Sequence, residues 1–105
     1  MTIDDFYKGI KSLGLPIAYR SFSENEVPNA PYFVYYEGNP DVLFADGRTY
    51  CLFGNTVLEL YCDKKDCELE KEVEAWLDEN ELAFKKDEFY IETEGYIEIV
   101  YYIGL

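Results

Sequence analysis

The C-terminal part of the chain carries the pattern that most restricts the fold. Two segments rich in aromatic and β-branched residues, 83–92 and 96–103, are separated only by the turn sequence Thr93-Glu94-Gly95. Strands joined by so short a connection pair antiparallel, because a parallel crossover needs a dozen or more residues. The end of the chain therefore predicts a β-hairpin, which excludes a strictly alternating α/β order.

Two earlier segments also have strand character. Residues 32–37 are aromatic or β-branched up to the final glutamate, and residues 56–62 alternate between two sets of side chains. One set is Leu58, Leu60 and Cys62, and the other is Val57, Glu59 and Tyr61. Between these strands, Asp46-Gly47 separates two apolar stretches, which is typical of a tight hairpin turn. We therefore expect a small hairpin or an extended flap within residues 41–55.

Helical periodicity occurs twice. Residues 3–13 place apolar side chains on one stripe behind a possible N-cap at Thr2, and residues 66–80 repeat the pattern after an Asp-Lys-Lys-Asp turn. The second helix is expected to bury Leu69, Val73, Trp76 and Leu77. Its expected outer face carries Glu68, Glu70, Lys71, Glu72 and Glu74. The proline-containing connector 16–31 reads as an ordered loop or an edge, not as a central strand.

These elements predict one domain over residues 1–105 with an α+β fold. The expected architecture is a mostly antiparallel sheet of four to five strands packed with two helices. The expected order is α-β-(β hairpin)-β-α-β-β.

Charge limits the possible partners. The chain has 22 acidic and 9 basic residues, a formal net charge of −13. Such a chain repels phosphate backbones, so nucleic-acid binding is not expected. Residues 51–105 carry −10 of this charge. The simplest explanation is a solvated outer face; the alternatives are contact with a basic partner or imitation of DNA.

Few residues offer catalytic chemistry. The absence of histidine removes the common nucleophilic triads and histidine-based zinc sites, and no phosphate-binding loop is present. Cys51, Cys62 and Cys67 lack metal-ligand or redox spacing and are expected to be reduced thiols. Glu92, Glu94 and Glu98 surround the last turn, and Glu92 could approach Glu98 across the hairpin. Solvated strand edges explain them better than an acid–base site, so we expect no enzyme, metal or cofactor.

Tyrosine is the most distinctive residue type, with 11 copies. Seven of them, Tyr32, Tyr35, Tyr36, Tyr61, Tyr96, Tyr101 and Tyr102, lie on predicted strands. Alternation places some on each face of the sheet, either as cross-strand pairs or as a protein-binding surface. Because each aromatic face must be covered by the helices or by a partner subunit, oligomerisation is expected.

The acidic start of the chain does not read as a signal peptide, and no apolar run is long enough to span a membrane.

As a whole, the pattern resembles the small tail-completion, or tail-terminator, proteins of long-tailed siphophages and of prophages of Gram-positive bacteria. The resemblance covers most of the chain. It rests on Leu15-Pro16-Ile17-Ala18-Tyr19, Ala30-Pro31-Tyr32-Phe33-Val34-Tyr35-Tyr36, Leu58-Glu59-Leu60-Tyr61-Cys62-Asp63-Lys64-Lys65-Asp66, Leu69-Glu70-Lys71 and the tyrosine-rich strand 96–103.

The resemblance implies a structural subunit of the virion tail, assembled in the bacterial cytoplasm. Such subunits form a ring, usually of six copies, that ends the tail tube and joins it to the head. The implied partners are further copies, the tail-tube protein and a head–tail connector protein. A ring needs two different contact patches. We expect the flap to supply one, through Val42, Leu43, Phe44, Asp46, Arg48 and Tyr50.

Two alternatives remain open on the sequence. The chain could be another head–tail connector component with a similar α+β body. It could instead be an acidic inhibitor that imitates DNA, although Lys64, Lys65, Lys71, Lys85 and Lys86 interrupt the acidic residues and would break a phosphate-like ladder.

Overall fold

The computed structural model describes residues 1–38 and 56–105, together with the backbone of residues 44–45 and 48–49. Helix α1 spans Ile3–Lys11 and helix α2 spans Cys67–Glu79. The strands are β1 Ile17–Tyr19, β2 Tyr32–Glu37, β3 Phe44–Ala45, β4 Arg48–Thr49, β5 Thr56–Cys62, β6 Phe84–Ile91 and β7 Tyr96–Ile103. The predicted α+β class and the order of helices and strands are confirmed.

Strand β5 lies at the centre of a five-stranded sheet with the order β1-β2-β5-β7-β6. It pairs antiparallel with β2 and β7, and β7 pairs antiparallel with β6. The short strands β3 and β4 pair with each other, which confirms the small hairpin predicted around Asp-Gly. Every described pair except β1–β2 is antiparallel, and for β3–β4 and β6–β7 the short connection requires this.

The parallel strand β1 lies inside the predicted connector 16–31 and forms one edge of the sheet. Phe33 N–H donates to the Pro16 carbonyl at 2.8 Å, and Arg20 N–H donates to the Tyr35 carbonyl at 2.9 Å. Because proline lacks an N–H, Pro16 contributes only an acceptor here. This agrees with the expectation of a loop or an edge.

Local capping explains where the helices begin. Thr2 accepts from Asp5 N–H at 3.1 Å while the Asp5 carboxylate accepts from Thr2 N–H at 3.3 Å, a reciprocal capping box. Helix α1 ends at Lys11, two residues before the predicted end, and Gly14 follows with φ +95°. Asp66 caps α2 by accepting from Leu69 N–H at 3.1 Å.

One face of the sheet packs against both helices. Phe6 and Ile10 of α1 and Val73 and Leu77 of α2 are fully buried. The strands contribute Phe33, Leu58, Leu60, Ile99, Tyr101 and Ile103 to the same cluster. Burial of each such large apolar side chain contributes roughly 1.5–3 kcal/mol relative to exposure. Leu58, Leu60 and Cys62 therefore occupy the helix side of β5, as the alternation predicted.

Glu70 corrects the expected outer face of α2. It is only 4% exposed, and its carboxylate lies 2.8 Å from Lys65 Nζ and 3.1 Å from Lys86 Nζ. Lys86 also lies 2.9 Å from Glu74 Oε2, which accepts from Tyr101 Oη at 3.0 Å. Glu70 is buried because the even-numbered residues of β6 point toward α2, so the Lys86 side chain extends from the sheet to the helix. Burial alone would raise the pKa of Glu70, but the two ammonium groups hold it below the ordinary value.

Gly9 allows the two helices to approach closely. A Cβ atom at this position would lie 2.0 Å from Cζ2 of Trp76. The indole is held from the other side by Phe6, whose ring lies edge-on at a centroid distance of 5.7 Å. A side chain at residue 9 must therefore displace an aromatic ring that packs against the core.

We predict that Gly9→Ala lowers the free energy of unfolding by about 1–3 kcal/mol, because of overpacking against Trp76. At an exposed helical site the same change would stabilise the fold by up to about 1 kcal/mol, so a loss of stability indicates the contact with Trp76. Urea denaturation of Gly9→Ala, Trp76→Leu and the double variant measures the change in the free energy of unfolding. The double variant should lose less than the sum of the single variants; strict additivity would contradict the contact.

We predict that Glu70→Gln lowers the free energy of unfolding at neutral pH by about 1–3 kcal/mol. This is less than the cost of breaking a fully buried ion pair, because Lys65 and Lys86 are partly exposed to solvent. Because the pKa of Glu70 is lower in the folded chain than in the unfolded chain, its charged form stabilises the fold at pH values above the unfolded-state pKa of about 4.3. This stabilisation is lost as the pH falls through the folded-state pKa of Glu70. The difference from the wild type should therefore shrink in acid. Glu72→Gln, at an exposed position of α2, is the matched control and should change little.

Candidate functional site

The sheet face opposite the helices carries tyrosine and glutamate side chains from three neighbouring strands. We call it the tyrosine face. It comprises Tyr32, Val34, Tyr36, Val57, Glu59, Tyr61, Tyr96, Glu98, Val100 and Tyr102, which alternation turns away from α1 and α2. The three valines are buried, and the carboxylates and most of the tyrosines are half-buried. The face therefore combines an apolar floor with a cluster of hydroxyl and carboxyl groups.

Four side chains of this face form one hydrogen-bonded cluster. Tyr61 Oη lies 3.0 Å from Glu59 Oε1 and 2.9 Å from Glu98 Oε2. Tyr36 Oη donates to Glu59 Oε2 at 3.2 Å. The register explains the arrangement, because Tyr61 lies directly opposite Glu98 while Glu59 lies opposite Val100. Glu59 and Glu98 are thus diagonal neighbours on adjacent strands.

Proton counting shows that this cluster favours a protonated carboxyl group. Tyr61 has one phenolic proton, so it can donate to only one of its two carboxyl neighbours at a time. The second oxygen–oxygen contact then needs a proton from a carboxyl group. Burial raises the pKa of Glu59 above the ordinary value, and the adjacent Glu98 adds to the increase.

The tyrosines of the cluster are held in their neutral form. Burial, reinforced by the Glu59 carboxylate, raises the pKa of Tyr36 to about 12. The same two causes raise the pKa of Tyr61 further. Both phenols therefore stay protonated over the physiological range and act as hydrogen-bond donors.

An aromatic cleft adjoins the cluster. The Tyr32 ring stacks on Tyr61 at a centroid distance of 5.1 Å, and Phe22 from the connector packs edge-on against Tyr32 at 5.4 Å. The cleft has a volume of about 340 Å³, with Arg20 and Glu94 also lining it. Arg20 lies 5.5 Å from the Tyr36 ring centroid and has φ +68°. The cleft thus offers flat apolar surface bordered by both signs of charge.

The chemistry of this region is that of recognition. Half-buried tyrosines give large contact area with a polar tip, which suits protein interfaces. The carboxyl pair offers acceptors to a lysine or arginine of a partner. Such a cation would also replace the proton that the pair favours, because an opposite charge lowers a carboxyl pKa.

Glu98 departs from the sequence-based expectation. Glu92 and Glu94 are exposed, as solvated strand edges should be, but Glu98 is half-buried and meets Glu59, not Glu92. The hairpin register places Phe89 opposite Glu98, which separates Glu98 from Glu92 in the turn. Pairing of Glu59 with Glu98 was missed because the β5–β7 register is not readable from the sequence. The signal available was a glutamate inside each of two otherwise apolar strands.

The predicted assembly residues can be located only in part. Val42, Leu43, Asp46 and Tyr50 lie outside the described residues. Phe44 lies in β3 opposite Thr49, and Arg48 lies in β4 opposite Ala45. The backbone pairing of the flap is thus established, and its role in assembly remains a prediction.

Two of the three cysteines, Cys62 and Cys67, lie in the described part of the chain. Cys62 is buried and Cys67 is exposed, and both are free thiols. Burial raises the pKa of Cys62 to about 11, which disfavours the thiolate. Within residues 1–38 and 56–105, no group of three or more potential ligands is placed to hold a metal ion.

We predict that Glu59→Gln raises the free energy of unfolding by about 1 kcal/mol near pH 8 and has little effect near pH 4. The raised pKa means that wild-type Glu59 contributes fully when protonated and loses that contribution as the pH rises through the folded-state value. Glutamine imitates the protonated acid at every pH. Urea denaturation at both pH values measures the difference. Glu92→Gln, an exposed control, should show no such dependence; equal behaviour would refute the shared proton.

The described residues include no helix that is both long and apolar enough to cross a membrane. Comparison with known proteins finds no match to a family model, to a curated protein or to a solved structure. Any function must therefore be argued from the residues of this chain.

Proposed function

We propose that this protein is a structural subunit of a phage or prophage virion. In this role it is a tail-completion or tail-terminator protein that caps the tail tube as a ring of six copies and contributes to head–tail joining. The α+β fold of the chain is compatible with this role, because the subunits of that family resemble α+β domains. The partners are further copies of the chain, the tail-tube protein and a head–tail connector protein.

The observation that carries the proposal is the tyrosine face. A sheet face with half-buried tyrosines, a carboxyl pair and an adjoining aromatic cleft is suited to contact with another protein surface. The raised pKa of Glu59 favours its neutral form and so reduces repulsion from Glu98 when no partner is bound, whereas a partner cation could contact both carboxylates. This combination favours an assembly contact over a solvated surface.

A ring requires a second, different patch on each subunit. In the proposal the flap fills this role, through the residues predicted from the sequence: Val42, Leu43, Phe44, Asp46, Arg48 and Tyr50. Its apolar side chains would then pack on the neighbouring subunit, where association is driven mainly by burial of apolar area.

One observation weighs against the acidic DNA-mimic alternative. Glu70, Glu74 and Glu88 of the acidic C-terminal half are engaged by Lys65 and Lys86. Carboxylates neutralised by lysines of their own chain do not present a phosphate-like ladder. The remaining alternative, another head–tail connector component, differs in its deletion phenotype.

Deletion of the gene from its parent phage or prophage tests the proposal directly. Loss of a terminator should give tails of variable, excessive length without heads in electron micrographs. Loss of another connector component should give tails of normal length without heads. Normal, infectious particles would overturn both assignments.

We predict that Leu43→Asp and Phe44→Asp leave the subunit folded and abolish assembly, because a buried carboxylate in a subunit contact costs more than the contact returns. Light scattering at high protein concentration and negative-stain images, with and without tail-tube protein, measure assembly. Ala75→Asp is the control, since Ala75 is an exposed apolar residue of α2, which packs on the sheet face opposite the tyrosine face. Loss of the folded circular dichroism signal in the flap variants would show that the flap belongs to the core.

A further inference from the structure

Strand β6 forms a long edge of the sheet. Its eight residues pair with β7, and no other strand among the described residues pairs with them on the opposite side. Residues 85–90 are all exposed, including Phe89 at 48% and Tyr90 at 65%. An edge of this length presents a row of backbone donors and acceptors that another strand can use.

The hydrogen-bond pattern identifies which backbone groups point outward. Gly104 N–H donates to the Ala83 carbonyl at 2.9 Å, so this opposed pair is a hydrogen-bonded one. Antiparallel pairs alternate, so Lys85, Asp87 and Phe89 bond to β7. The N–H and C=O groups of Phe84, Lys86, Glu88 and Tyr90 then face away from the sheet. The same alternation can be followed from β7 through β5 to β2. It predicts that the backbone groups of Phe33 and Tyr35 point toward β1, and both form backbone hydrogen bonds on that side, with Pro16 and Arg20.

β6 carries one device that protects an edge, charged side chains such as Lys85 and Lys86, but it lacks two others, a bulge and a proline. Its register with β7 is continuous from Phe84 to Ile91, with no bulge, and the strand contains no proline. On the helix side, Lys86 is tied to Glu70 and Glu74, and Glu88 is tied to Lys65. These ion pairs hold the strand against α2 and leave its outer edge straight.

The sequence of β6 is complementary to itself when read in the opposite direction. A two-fold axis perpendicular to the sheet at Asp87 places Lys86 opposite Glu88 twice and Phe84 opposite Tyr90 twice. Lys85 then faces Phe89, and the two Asp87 side chains form the one unfavourable pair. An axis at Glu88 creates no opposite-charge pair. An axis at Lys86 pairs Lys85 with Asp87 twice and opposes two lysines, but it leaves Phe84 facing Glu88 and so lacks the aromatic pair that the axis at Asp87 adds. Asp87 is therefore the favoured centre.

We propose that β6 pairs with β6 of a second copy of this chain in this antiparallel register, with Asp87 facing Asp87. The two five-stranded sheets join into one ten-stranded sheet, with both pairs of helices on the same side. The outward groups of Phe84, Lys86, Glu88 and Tyr90 supply the new ladder. This contact is symmetric and closes at two copies, so it is independent of the head-to-tail contact of a ring.

Blocking the outward backbone groups tests the pairing. Glu88→Pro removes an N–H that points away from β7, so it blocks edge pairing without breaking the existing ladder. Glu88→Ala is the matched control, because it loses the same charge and keeps the N–H. Sedimentation equilibrium of the full chain should show a wild-type dimer, a dimer weakened several-fold in Glu88→Ala, and a monomer in Glu88→Pro. A monomeric wild type, or equal association of both variants, would overturn the proposal.

Cysteine cross-linking tests the register and does not depend on a proline variant that folds. Opposed residues of a non-hydrogen-bonded pair have Cα atoms about 4.5 Å apart, within disulfide range. In a background with Cys51→Ser and Cys67→Ser, Asp87→Cys should form a disulfide-linked dimer with oxidised glutathione, which is reduced to two thiols. Lys85→Cys should not, because its copies are four residues out of register. Equal cross-linking of both, or none by Asp87→Cys, would refute the register.

The two opposed Asp87 side chains allow a test in which a substitution should strengthen the dimer and not weaken it. Asp87→Asn removes the repulsion between like charges and should tighten the dimer about threefold. High salt should narrow the difference between this variant and the wild type. No tightening would contradict Asp87 as the centre of the contact. None of these results depends on ring formation, so failure here leaves the proposed virion role to its own deletion test.

Discussion

The pairing of β5 with both β2 and β7 is the constraint on which the rest of the structure depends. It places seven residues at the centre of the sheet and sets the register of both neighbours. Leu58, Leu60 and Cys62 are thereby directed toward the helices, while Glu59 and Tyr61 are directed away. A shift of one residue would bury the carboxylate under α1 and α2, which makes the register costly to change.

The two sheet faces use their polar groups differently. On the helix side, lysines from the α2 entry turn and from β6 neutralise Glu70 and Glu74, so this acidity is satisfied within the subunit. On the tyrosine face, Glu59 and Glu98 have phenols as partners, and burial raises the pKa of Glu59. The first arrangement stabilises the fold at neutral pH. The second leaves a group that a cationic partner can engage.

The proposed contacts use separate parts of the surface. The tyrosine face and the flap would serve a head-to-tail ring, whereas the β6 edge would serve a symmetric pair of copies. Burial of apolar side chains at an interface is a non-directional source of affinity. Pairing of strand edges depends instead on the geometry of the backbone hydrogen bonds. Their separation allows each contact to be removed by substitution without affecting the other.

The sequence by itself determined the elements: composition and alternation were sufficient for the strands, capping residues for the helices, and short connections for the antiparallel α+β class. These are local properties, readable within a few residues. Only the tertiary structure decided that Glu70 is buried between Lys65 and Lys86, and that Glu98 meets Glu59 and Tyr61 instead of Glu92. Those contacts depend on strand register and on which helix covers which edge. Apart from the Lys65–Glu70 pair, these contacts join residues 16 to 39 positions apart, a separation over which no periodic pattern carries information.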